Sequence, residues 1–140
     1  MGIGAKYFMI LILITMLSGC EEHRKDALED KTKAMEIANL FYAKVMKRQF
    51  YEISTQFKGR MSSNEALVLL AKNDTLFGAF QKYEILSLIT DITKKNGVET
   101  GSYIITSTGT YMKGQTREQL VIMIEEKGYR IDSYVAVKAF

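Results

Sequence analysis

The order of periodicities in this chain predicts an α+β domain, with N-terminal helices packed on a curved four-stranded antiparallel sheet. Three observations predict it. Apolar residues recur at helical spacing up to about residue 78, they alternate with polar ones from Phe80 onward, and Gly-containing turns punctuate the second half. The chain has 140 residues, 47% of them hydrophobic and 25% charged, which suits one folded domain and argues against global disorder. Its net charge of +3 is too small a bias to imply nucleic-acid binding.

The first segment is an address. Lys6 is the only charge before Glu21, and Tyr7 to Leu17 is apolar except for Thr15. As a helix that run would span about 16 Å, roughly half a bilayer core. A basic start, a short apolar stretch and small residues describe a signal peptide over residues 1–19. Its end, Leu17-Ser18-Gly19-Cys20, resembles the lipobox of bacterial lipoproteins. The resemblance implies cleavage before Cys20, a diacylglycerol group on its sulfur, and an acyl chain such as palmitate on the new amino group. The anchored domain would then lie outside the cytoplasm, on the cell membrane or the outer membrane. Cys20 is the single Cys, which excludes an internal disulfide and every multi-Cys zinc site.

Residues 20–29 read as the lipidated Cys and a charged, solvated tether, because Glu21 to Asp26 is charged throughout. His23, the sole His, falls inside it. The folded unit then occupies residues 30–140. Ala34, Ile37, Ala38, Phe41, Tyr42 and Val45 trace one face of a helix expected over residues 26–48. Phe50, Ile53, Ser54 and Phe57 predict a short helix over 50–58, stopped by Gly59. Ser62 with Glu65 is a capping-box pattern that starts a third helix, and Gly78 ends it.

Strands follow. Tyr83, Ile85, Ser87 and Ile89 alternate in the first, and Asn96-Gly97 is a strong hairpin signal. The second runs from Val98 to Met112, with Gly101 and Gly109 expected at bulges. Lys113-Gly114 and Lys127-Gly128 separate the third strand, Glu118 to Glu126, from its neighbours. Tyr129, Ile131, Ser133, Val135 and Val137 alternate in the fourth.

Over residues 30–138 this pattern resembles the cystatin-like cone of the nuclear transport factor-2-like superfamily. The stretches that carry the resemblance are FYAKVMKRQFYEI, the helix end at Phe77-Gly78, and QLVIMIEEKGYRIDSYVAV. Within the last, Gly128-Tyr129-Arg130-Ile131 stands where many members have Gly-Trp-Arg-Ile. The resemblance implies a concave sheet face closed by the long helix, serving as an enzyme pocket, a binding pocket, a dimer surface or simply a core. A homodimer is compatible with it.

Enzymes of this fold place an Asp, His or Tyr inside the cone. With the single His in the tether, the candidate catalytic residues are Asp91 and Asp132, with Tyr42 and Tyr83 as hydroxyl partners. Asp74 is a third carboxylate, and all three Asp residues are expected to face water. Tyr and Phe supply 15 aromatic side chains and there is no Trp, so most of them should be core. Tyr103, Tyr111 and Tyr134 are the candidate binding residues if they share one exposed sheet face. Lys44, Lys47, Arg48, Lys58 and Arg60 form a modest basic group that could meet anionic headgroups.

No Gly-rich phosphate loop occurs, and no cofactor or metal is expected. The expectation is a membrane-anchored, non-catalytic binding domain for a protein or small molecule. The alternative is a cone-type isomerase or dehydratase using an inward Asp with a Tyr hydroxyl. A cone packed shut by Phe41, Val45, Ile85 and Ile105 would argue against the alternative.

Overall fold

Tight antiparallel hairpins dominate the second half of the chain, and a computed structural model, which describes residues 20–139, shows how they assemble. The signal peptide expected over residues 1–19 lies outside the described residues. Among the described residues no helix is long and apolar enough to cross a membrane. The elements in order are β1 (Glu21–Lys25), α1 (Leu28–Met46), α2 (Phe50–Ser54), α3 (Ser63–Phe77), β2 (Phe80–Lys95), β3 (Val98–Tyr111), β4 (Gly114–Glu125) and β5 (Gly128–Lys138). The α+β class stands.

The sheet, however, has five strands rather than four, in the order β1-β2-β3-β4-β5, every neighbour antiparallel. The added strand is the segment expected to be a solvated tether. Glu21 and Glu22 lie opposite Lys95 and Lys94, so opposite charges face each other across the ladder. Arg24 is clasped more firmly. Its guanidinium donates two parallel hydrogen bonds of 3.0 Å to Asp30 on α1 and one of 3.0 Å to Glu99 on β3. Glu29 adds a 3.0 Å ion pair. Asp30 is fully buried and the Arg24 side chain is 12% exposed. The fork geometry of Arg suits this bidentate contact. The hydrogen bond to Asp30, with further support from Glu99 and the other acids, raises the Arg24 pKa. A strand made of charges forms here because ion pairs, not apolar alternation, hold it.

Local chemistry sets the helix limits. Asp26 adopts φ 53° and exchanges hydrogen bonds with Thr90, its amide donating to the carbonyl and its carboxylate accepting from the amide. That pairing delays α1 to Leu28. The helix buries Ala34, Ala38, Phe41, Tyr42 and Val45 as expected. α2 ends at Ser54 rather than 58, because the chain beyond it is captured by β5. Phe57 bridges Ile131, with Lys58 donating to the Ile131 carbonyl and Ile131 to the Gln56 carbonyl. Ser62 caps α3 by accepting from the Glu65 amide at 3.2 Å.

Alternation runs along β3 from Tyr103, and along β4 as far as Leu120, beyond which Val121 is buried too. Tyr103, Ile105, Ser107, Gly109 and Tyr111 face inward, as do Thr116, Glu118, Leu120 and Ile122. The Asn96-Gly97 hairpin has both residues at positive φ, 52° and 78°. The register shifts lie elsewhere than at Gly101 and Gly109: two are on β2, between Phe80 and Lys82 and between Ile85 and Ser87, and one is between Val121 and Ile122 on β4. Gly101 is needed because a Cβ there would lie 1.9 Å from the Asp91 carbonyl oxygen.

Truncating Arg24 should be costly, because Asp30 would remain buried without its partner. Arg24→Ala is expected to destabilise the domain by about 3 kcal/mol. The check is chemical denaturation, together with hydrogen exchange showing faster exchange of the β1 amides.

Candidate functional site

Glu118 belongs to the inward set of β4 and is 1% exposed. It sits beneath α1, with β3 and β5 on either side. Its Oε1 accepts from the Tyr42 hydroxyl at 3.0 Å and from the Tyr134 hydroxyl at 2.5 Å. Its Oε2 accepts from the Tyr111 hydroxyl at 3.2 Å and from the Thr116 hydroxyl. Ser107 Oγ lies 2.5 Å from the Tyr42 oxygen. With Tyr42 donating to the carboxylate, Ser107 donates to Tyr42. Four hydroxyl donors thus complement the acceptor oxygens of one carboxylate. Among the described residues no Lys, Arg or His forms an ion pair with it.

Each neighbour has a packing reason to be there. Tyr42 stacks on Tyr83 at 4.2 Å and on Phe80 at 5.4 Å, and meets Phe41 edge-on at 5.1 Å. Phe41 also packs on Tyr134, and Phe80 on Tyr111. Gly109 completes the niche. A Cβ at that position would stand 2.4 Å from Glu118 Oε2 and 2.7 Å from Thr116 Oγ1. The absence of a side chain at 109 is therefore the space that the carboxylate occupies.

Burial first, and then the negative charge of Glu118, push the hydroxyls of Tyr42, Tyr111 and Tyr134 above the ordinary tyrosine value. These phenols stay protonated and donate. Tyr103, farther along β3, is pushed up to about 12 by burial and then by Asp30 and Glu99.

Of the residues singled out in the sequence, Tyr42, Tyr111 and Tyr134 converge on Glu118, whereas the three Asp residues are dispersed. Asp91 is exposed, as expected, and lies 2.6 Å from His23 Nε2 across the β1–β2 ladder. Asp74 on α3 pairs with Arg48 at 3.1 Å. Asp132 was expected to face water but is buried on β5, at the register shift, between Arg60 at 2.7 Å and Arg130 at 3.2 Å. Its burial pushes the carboxyl up. Hydrogen bonds from the Arg60 side chain and amide and from Arg130 outweigh this, and leave it below the usual aspartate value. Tyr103, Tyr111 and Tyr134 share a sheet face, but the inner one, and all three are buried. They offer no exposed aromatic platform. Tyr83 donates to Asn39 on α1. In the basic group, Arg48 and Arg60 are held by Asp74 and Asp132.

The arrangement anticipated for chemistry, an inward carboxylate with Tyr hydroxyls, is present with Glu118 in place of an Asp. The signal for it was positional, since Glu118 shares parity with Leu120 and Ile122. Cavities of about 250 and 260 Å³ open elsewhere on the domain. The first is lined by Lys82, Tyr83, Glu84, Thr108, Thr110 and Gln115. The second lies between α1 and the β4–β5 turn, beside Ile37, Tyr103 and Tyr129. Glu118 lines neither. Among the described residues no three His, Cys, Asp or Glu side chains converge as a metal site. Shielded in this way, the cluster ties α1 to β3, β4 and β5.

Glu118→Ala should destabilise the domain by about 3 kcal/mol or more, since each orphaned buried hydroxyl costs about 1–3 kcal/mol. Glu118→Gln, which keeps one acceptor and adds donors, should cost about 1 kcal/mol. Gly109→Ala should cost about 1–3 kcal/mol by overpacking. Urea denaturation of the three variants checks this order. The Asp132 pair gives a pH signature. Its carboxyl is lower in the folded state, so its stabilisation is complete above the unfolded value near 3.8 and is lost as pH falls through the folded one. Asp132→Asn should flatten the decline in stability expected below about pH 4, measured by thermal melts across acid pH.

No family model matches the chain, and no curated protein or solved structure shows significant similarity to it.

Proposed function

We propose that the chain is a bacterial lipoprotein, anchored through acyl chains on Cys20, whose cone-like domain is a non-catalytic binding module outside the cytoplasm. One observation carries the second half of this reading: the inner face of the sheet is filled. Phe41, Val45 and Ile105 are buried there, Ile85 packs against them, and the Tyr hydroxyls around Glu118 are spent on one another and on its carboxylate. An enzyme of the cone type needs an opening at that place. Binding then falls to the outside, where Ile89 and Ile104 stand side by side across β2 and β3, and Val135 and Val137 are half exposed on β5. A second copy of the chain or a protein partner could use that face.

The anchor reading is supported by the lipobox resemblance and by Cys20, which is exposed and unpaired immediately before the folded unit. Two or three acyl chains, at about 0.8 kcal/mol per buried CH₂, give durable attachment. One observation favours the isomerase or dehydratase alternative: the pairing of an inward carboxylate, Glu118, with Tyr42, Tyr111 and Tyr134. It requires α1 to lift from the sheet to admit a substrate.

Expression of the full chain in a bacterium tests the proposal. The mature protein should begin at Cys20, carry the mass of a diacylglycerol with or without a further acyl chain, and sediment with membranes. Cys20→Ala should lose both the added mass and the membrane fraction. An unmodified thiol at Cys20 in the membrane-exported protein would overturn the reading.

A further inference from the structure

We infer that the end of the sheet bearing the Asn96-Gly97 and Glu126-Lys127 turns lies against the bilayer, with the strands standing away from it. This rests on the lipid-anchor reading and goes beyond it, because acylation alone leaves the domain's orientation open. A ten-residue tether, as the charge pattern suggests, could extend over about 35 Å and let the domain tumble. The structure removes that slack. Glu21, the residue directly after Cys20, is already the first residue of β1 and is paired with Lys95 at the start of the β2–β3 turn. One peptide step of about 3.8 Å and one ladder spacing of about 5 Å keep the Cys20 backbone within about 9 Å of Lys95. The acyl chains therefore leave the protein beside that turn.

The antiparallel meander brings the second turn to the same end. Gly101 near the start of β3 pairs with Ile124 near the end of β4, so the Glu126-Lys127 turn is beside the Asn96-Gly97 turn. Its flank carries Tyr129, 39% exposed, an amphipathic ring suited to the headgroup region. Lys95 and Lys127 are exposed there beside the equally exposed Glu21, Glu125 and Glu126, so the anchor and not surface charge sets the orientation. The opposite end, at Met112 and Lys113, is a strand length of about 45 Å away. The ion pairs of Arg24 with Asp30, Glu29 and Glu99 keep β1, and hence the acylated residue, from peeling off the edge.

The acylated full chain, reconstituted in vesicles of phosphatidylethanolamine and phosphatidylglycerol, tests this. The anchor occupies the sole native thiol, so Asn96→Cys, Lys127→Cys and Lys113→Cys each give one site for a nitroxide. Collision with a nickel-chelating headgroup lipid should relax the labels at 96 and 127 at least tenfold more than the label at 113. Insertion of about ten Gly and Ser residues between Cys20 and Glu21 should collapse that contrast, since it restores the slack. Equal relaxation at the three sites in an acylated chain would overturn the inference while leaving the anchor intact. A contrast that survives the insertion would still place the turns on the bilayer, through their own lipid contacts, and would overturn the short link as the cause. An unacylated mass would remove the anchor and the inference together.

Discussion

A carboxylate with no cation beside it can remain in a protein interior only if hydroxyls or amides take the place of water. Glu118 imposes that demand, and the rest of the domain answers it. Tyr42 must come from α1, Tyr111 from β3, Tyr134 from β5, and Thr116 from the same strand two residues earlier. The register of three strands, the placement of the long helix and the lack of a side chain at 109 are all tied to one functional group. Such a network specifies a single arrangement of its parts more sharply than apolar packing does, since a displaced hydroxyl is left unpaired in a dry place.

The same network closes the space where catalysis in a cone would take place. Burial holds the phenols protonated, and their protons are committed to the carboxylate. In the proposed reading the inner face serves cohesion, and the outer face and the sheet ends meet other molecules. That division of labour is what gives the binding-module reading its physical content.

Much of the fold was legible from periodicity. Ala34, Ala38, Phe41, Tyr42 and Val45 announced α1, Ser62 with Glu65 announced α3, and Asn96-Gly97 announced the first hairpin. What could not be read was whatever depended on partners distant in sequence. Glu21 to Lys25 looks like a solvated tether until Asp30, Glu99 and the edge of β2 are placed beside it. Asp132 looks exposed until Arg60 arrives from the loop before α3. Glu118 shares its strand parity with Leu120 and Ile122, a sign that passed unused, and local sequence holds no sign of the three tyrosines, the nearest of which is Tyr111, seven residues away. Tyr103, Tyr111 and Tyr134 were candidates for an exposed face, but the face they share looks inward, which depended on where α1 lay down.

The short edge strand has a mechanical consequence. Hydrogen bonds of an antiparallel ladder run across the strands. A force applied at Cys20 along β1, and resisted by whatever is held at the Met112 end, loads the β1–β2 bonds together in shear instead of opening them one by one. The guanidinium of Arg24, clamped between a helix and a second strand, acts as a bolt through that joint. A protein tethered to one surface while gripping something beyond it would carry tension through its sheet and not through a loose leader.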